Sequence, residues 1–140
     1  MAAVENKATA RRFIEELFNQ GNLEIADELL SPNYIDHDPA MLEDVRGPEG
    51  MKQYAAMYRS AFPDIHIVIE DQVAEGDKVV TRWIGTGTHQ GDLMGIAPTG
   101  NRVTVTGIAI DRFSGGKIEE TWENYDALGM LQQIGAIPSA

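Results

Sequence analysis

Phe62-Pro63-Asp64-Ile65-His66-Ile67-Val68-Ile69-Glu70 is the stretch on which the fold depends. Ahead of it apolar residues recur with a helical period; behind it they alternate. Ile65, Ile67 and Ile69 fall on one side of that alternation, with His66, Val68 and Glu70 on the other, which is the period of a strand. Pro63 ends whatever helix precedes it, because the residue before a proline is driven out of the helical region.

Upstream, Ala10, Phe13, Ile14, Leu17 and Phe18 follow the spacing of an amphipathic helix, which Gly21 can stop in the left-handed conformation. Leu23 to Leu30 reads as a short second helix, with Asn22 as cap and Ser31-Pro32 as its end. Asn33 to His37 is extended. Pro48 suits the first turn of a third helix that carries Met51, Tyr54, Ala55, Tyr58 and Phe62 on one face. Downstream, a turn at Glu75-Gly76-Asp77 leads into a strand over Lys78 to His89. A Gly-rich loop, Gly91 to Gly100, precedes a strand over Arg102 to Phe113. Gly115-Gly116 is a hairpin turn, and Lys117 to Asp126 returns as the last strand. Leu128 to Ile134 has room for a final helical turn. Helices first and a meander after is an α+β pattern, with helices packed on one face of a curved antiparallel sheet. The hollow of such a sheet is expected to hold an apolar pocket with a few polar groups.

At 140 residues, with 43% hydrophobic and 24% charged, the chain reads as a single domain spanning residues 1–140 and is not expected to be disordered. It has no cysteine, which excludes disulfides, thiolate nucleophiles, Cys-ligated zinc and iron–sulfur clusters. A net charge of −11 argues against binding nucleic acid or an anionic membrane, both of which need a Lys/Arg surface. No apolar run approaches the roughly 20 residues of a membrane span. The N-terminus carries Glu5 where a secretory signal would be basic. A cytoplasmic protein is expected.

Several segments together resemble the SnoaL-like polyketide cyclase family of the NTF2-like (cystatin-like cone) superfamily. They are Phe13 to Asn22, Tyr34-Ile35-Asp36-His37-Asp38, Phe62-Pro63-Asp64, Gly87-Thr88-His89-Gln90-Gly91, Gly95 to Gly100, and Gly116 to Trp122. The resemblance implies a cone of three N-terminal helices on a curved antiparallel sheet. It also implies an ester cyclase that needs no cofactor and acts on a small apolar carbonyl compound by intramolecular aldol-type chemistry. A non-catalytic pocket protein is the rival reading and an epoxide hydrolase-like activity the third, since one superfamily hosts many functions.

On the resemblance, Asp126, at the end of the last strand, stands where the cyclases carry their general acid/base. A carboxylate in an apolar pocket suits that task because desolvation raises its pKa. The competing role is an N-cap for the turn beginning at Ala127-Leu128. His37 and His89, near strand ends at the expected mouth, can donate to a substrate carbonyl or else fix a loop; His66 reads as structural. The resemblance leads one to expect a histidine where Arg112 stands, and a two-residue turn would set Arg112 opposite Glu119 as a cross-strand ion pair. Arg82 is a candidate for binding a carboxylate or enolate oxygen. Tyr54, Tyr58, Phe62, Trp83 and Trp122 are candidates for core and substrate-binding wall alike. No spacing supports a metal site. In the Gly-rich loop, exposed Leu93, Met94 and Ile96 would suit a lid or partner contact. Strands apolar at both parities, Val79-Val80 and Ile108 to Ile110, predict an apolar outer face and hence a homodimer.

Overall fold

A computed structural model describes residues 2–138. Helix α1 (Ala2–Ile14) runs on into a π-helical turn, Glu15–Asn19. It buries Ala10, Phe13, Ile14 and Leu17, the apolar stripe read from the sequence. Gly21 takes φ +72°, and the Arg59 guanidinium lies against it where a Cβ would collide. Arg59 also donates to the Phe18 carbonyl, one of the acceptors that a helix end leaves orphaned. Helix α2 is shorter than expected, Ile25–Leu29, because the chain is already extended at Leu30.

Strand β1 (Leu30–His37) is followed by the two-residue β2 (Val45–Arg46) and by helix α3 (Gly47–Ala61). Pro48 sits in the first turn of α3, which ends before Phe62-Pro63 as the sequence requires. It turns Met51, Tyr54, Ala55 and Tyr58 inward. Strands β3 (His66–Glu75), β4 (Lys78–Thr88), β5 (Arg102–Ser114) and β6 (Lys117–Tyr125) form the meander. Helix α4 (Ala127–Gln133) adds a fourth helix to the three N-terminal ones. All strands join one six-stranded sheet in the order β2-β1-β6-β5-β4-β3. The neighbours are antiparallel except β1 and β6, which run parallel with Asp36 opposite Thr121. The short extended stretch around Tyr34 is therefore a sheet strand whose inward residues stand beside those of β6.

Register decides which side chains meet. Trp83 pairs with Gly107 and Gly107 with Tyr125, while Ala109 pairs with Glu123 and Asp111 with Thr121. These share the face that the helices cover. A Cβ on Gly107 would lie 2.2 Å from the Trp83 ring, so this glycine leaves room for the indole to lie across β5. A bulge between Arg112 and Phe113 displaces the last pairings, so Arg112 meets Glu120 at 3.2 Å rather than the expected Glu119. The Gly-rich loop also departs from expectation. Leu93 is buried and paired with Ile96, and of the three apolar residues Met94 remains exposed. Gly91 lies against the backbone of Ser60, where a Cβ would sit 2.1 Å from the carbonyl oxygen; the loop is docked on the end of α3.

Candidate active site

Between the helices and the concave face lies a cavity of about 110 Å³. Phe13 and Phe18 from the α1 region, Met51 from α3, Ile67 and Trp83 from the sheet, and Met130 from α4 supply its apolar wall. Its polar end is built from α3, β5 and β6, which present Tyr54, Tyr58, Asp111, Thr121, Glu123 and Tyr125. Among the described residues, no lysine, arginine or histidine lines it.

The polar groups form two connected sets. In one, the Tyr54 hydroxyl lies 2.7 Å from Asp38 Oδ2 and 3.2 Å from Glu123 Oε1. In the other, Tyr34 donates to Thr121 Oγ1 at 2.8 Å, and Thr121 donates to Asp111 Oδ1 at 2.6 Å. The Tyr58 and Tyr125 hydroxyls are hydrogen-bonded to each other. Asp36 lies behind the polar end, and among the described residues no N–H or hydroxyl donates to either of its carboxyl oxygens.

Carboxyls so placed hold their protons to higher pH than exposed ones, because burial penalises the charged form. Burial pushes Asp111 up to about 7, and the nearby Asp36 adds to the shift. Burial pushes Asp36 to about 6. Glu123 stands well above the usual carboxylate range, first through burial and then through the charge of Asp36. Tyr125 rises to about 12 from burial, and Tyr54 well above its ordinary value for the same reason. The cavity is thus apolar, with a polar end whose hydroxyls stay protonated and whose carboxyls titrate near neutral pH. Among the described residues no group of three His, Asp or Glu side chains is arranged to hold a metal ion.

Of the residues picked out in the sequence, Tyr54, Tyr58, Phe62 and Trp83 line this cavity. The others stand elsewhere. Asp126 caps α4, its Oδ1 accepting from the Gly129 N–H at 2.9 Å. His89 is fully buried but serves the loop. Its Nδ1 accepts from the Thr99 N–H at 3.2 Å while its ring packs on the back of Phe62. His37 lies on the opposite face of the sheet, between Glu120 at 2.7 Å and Asp44 at 3.2 Å, and Glu120 raises its pKa. Its ring stacks on Trp122, which is 38% exposed on that outer face. Arg82 is also outside, paired with Asp71 at 2.7 Å. Outward parity removes Arg82, Trp122 and His37 from the cavity, and local hydrogen bonding occupies Asp126 and His89.

Sequence reasoning missed Asp111 and Glu123. One of them had a signal. Asp111 shares parity with Val103, Val105, Ala109 and Phe113, all buried, and a lone acid in an inward apolar row is a buried carboxyl by position. Glu123 had none: its inward position, two residues from Thr121 on β6, follows from the pairing with β5.

Comparison with known proteins gives a consistent result. The SnoaL-like polyketide cyclase family matches residues 8–134. The nogalonic acid methyl ester cyclase of Streptomyces nogalater is 31% identical over 121 residues, covering 84% of this chain and 89% of that protein. The aklanonic acid methyl ester cyclase AcmA of Streptomyces galilaeus is 28% identical over 132 residues, 94% of this chain and 91% of that one. Among solved structures, TsrD from Streptomyces laurentii superposes with a TM-score of 0.85 at 30% identity, covering 96% of this chain and 97% of that one. A Jannaschia sp. CCS1 protein assigned to the SnoaL-like cyclases does so with 0.88 at 25%, covering 97% and 95%.

Proposed function

The chain belongs to the SnoaL-like polyketide cyclase family, and on that premise we propose that it closes a ring in a small, uncharged, largely apolar keto ester by intramolecular aldol chemistry, without metal or cofactor. The observation that carries this reading is the Glu123 carboxyl, held at the polar end of an otherwise apolar cavity. A proton on a carbon flanked by two carbonyls is acidic enough for a positioned carboxylate to remove. The C–H electrons stay on carbon, which attacks a ketone carbon within the same molecule. The alkoxide so formed takes the proton back from Glu123. Substrate and product are isomers, so no co-reactant is required. Tyr58 and Tyr125, linked to each other beside Glu123, offer hydroxyl donors toward a carbonyl oxygen as it gains charge.

A neutral substrate follows from the electrostatics. An anion would meet the acids of the polar end with no cation in the lining to receive it, whereas an ester brings no charge. The names of the methyl ester cyclases among the relatives agree with this. Of the other readings, the epoxide hydrolase set would need an arginine between two aspartates in the cavity, and Arg82 is engaged outside with Asp71. A purely binding pocket has no use for several proton-holding carboxyls.

The test is incubation of the protein with a panel of uncharged β-keto esters and their free acids, with and without a chelator. Cyclised ester is expected at a rate the chelator leaves unchanged. Turnover confined to the free acids, or abolished by the chelator, overturns the proposal. The same reading includes a homodimer. Ile108, 49% exposed, stands on the outer face with Val68 and Trp122, and apolar area of this kind marks interfaces. Sedimentation at micromolar concentration should give a two-fold dimer, and a monomer would contradict it.

A further inference from the structure

We infer that Asp36 is a positioning residue for the cavity's catalytic carboxyl: buried behind Glu123, it shares one proton with it, so that the pair offers a single negative charge to the substrate. The inference rests on the proposal that Glu123 is the acid/base. Its warrant is a count of donors. Asp38 accepts from the Ala40 N–H at 2.9 Å and meets the Tyr54 hydroxyl at 2.7 Å. Asp111 accepts from Thr121, and Glu123 has the Tyr54 hydroxyl within 3.2 Å. Asp36, at 0% exposure, has none of these, and the group its carboxyl meets is the Glu123 carboxyl. Two ionised carboxylates are acceptors only. With Asp36 fully buried and Glu123 partly buried beside it, they are compatible with a folded chain when one proton lies between them, and such a pair titrates as a unit.

The groups around the pair are mostly acids. From β1 and the segment after it, Asp38, His37 and Asp44 act on Asp36. Glu123 and Thr121 face it from β6, Asp111 from β5, and Tyr54 stands across from α3. Of these only His37 can be cationic, and it is already held by Glu120 and Asp44 on the other side of the sheet. Among the described residues, no lysine or arginine lines the cavity beside the pair.

The device solves a problem that a lone buried carboxyl would have. By itself in an apolar wall, Glu123 would take up a proton and stop being a base. Because the pair shares a single proton, Glu123 is a carboxylate whenever that proton sits on Asp36. When the substrate C–H breaks, its proton goes to Glu123 and the pair becomes neutral with two protons. After the new C–C bond forms, the alkoxide takes one proton from Glu123 and the pair returns to one.

The decisive measurement is side-chain carboxyl ¹³C titration of the unsubstituted protein alongside Asp36→Asn and Glu123→Gln, with pH–rate profiles of keto-ester turnover. In the parent, the Asp36 and Glu123 resonances should move together in two phases. In Asp36→Asn, Glu123 should titrate in one phase and the alkaline limb of kcat/KM should disappear. Its kcat should fall by roughly tenfold or more, with KM within about threefold. A merely structural role would leave the profile's shape unchanged. Independent single-phase titration of the two groups in the parent overturns the inference, and needs no variant to fold. Turnover lost in Glu123→Gln together with independent titration removes the inference alone. Turnover retained in Glu123→Gln removes the catalytic reading beneath it as well.

Discussion

Glu123→Gln lowers keto-ester turnover by roughly 10²–10⁴-fold, the usual contribution of a positioned acid/base, equivalent to about 3–5 kcal/mol of barrier. The substitution is nearly isosteric. Its amide still meets the Tyr54 hydroxyl, so the cavity keeps its shape and KM should change little. What is lost is the capacity to take a proton from carbon and return it to oxygen. The contrast with Asp126→Asn sharpens the test. Asp126 caps α4 through the Gly129 N–H, and asparagine caps about as well as aspartate. That variant should keep both its turnover and its melting temperature. Steady-state kinetics on both proteins separates the two carboxyls. A loss of turnover in Asp126→Asn with none in Glu123→Gln would return the chemistry to the end of the last strand.

The contrast also shows what the sequence discloses and what it hides. The change of period at Pro63, the glycine turns and the inward stripe of α3 are local signals. Each reappears in the structure close to where it was read. The wall of the cavity was legible for the same reason, since Tyr54, Tyr58, Phe62 and Trp83 are large residues on helical or strand faces that must be covered. The acid at its polar end was not. On β6 the usual rule of apolar inside and polar outside is inverted: Thr121, Glu123 and Tyr125 point inward while Trp122 faces out over His37. Alternation by itself assigns that strand to the wrong face. Its parity is set by pairing with β5 and with β1, and the parallel partnership with β1 is a contact between residues far apart in sequence. Likewise Asp126, which sits where a helix cap belongs, carried two readings that only the hydrogen bond to Gly129 separates.

Asp111→Asn should stabilise the protein at pH 8 and leave it unchanged or slightly weakened at pH 4. Asp111 is buried on β5, and its folded pKa of about 7 exceeds the ordinary 3.8. The sign follows from which state binds more protons. Below about pH 4 both folded and unfolded chains carry the proton, and the residue costs nothing. As pH rises toward 7 the unfolded chain releases it first while the folded chain keeps it, so stability falls across that interval. Above 7 the penalty is complete. A shift of this size sets an upper bound of about 4 kcal/mol. Asparagine avoids the penalty and can still accept from the Thr121 hydroxyl that bonds Asp111 at 2.6 Å. It introduces an NH₂ that needs an acceptor, so the net gain at pH 8 should be on the order of 1–3 kcal/mol, or a rise in Tm of roughly 3–10 °C. Other groups titrate over the same range. Asp36 and His37 have raised folded values, so their contributions also fade as pH increases. The acids Asp27, Asp64 and Glu120 have lowered values and favour the folded state above their acid range. Away from Asp36, which senses Asp111, these terms are common to parent and variant and cancel in the difference. Thermal unfolding of both proteins at pH 4 and pH 8 therefore isolates the buried carboxyl. Equal destabilisation at the two pH values would mean that Asp111 is ionised and satisfied in the fold, and that the polar end of the cavity carries a charge rather than a proton.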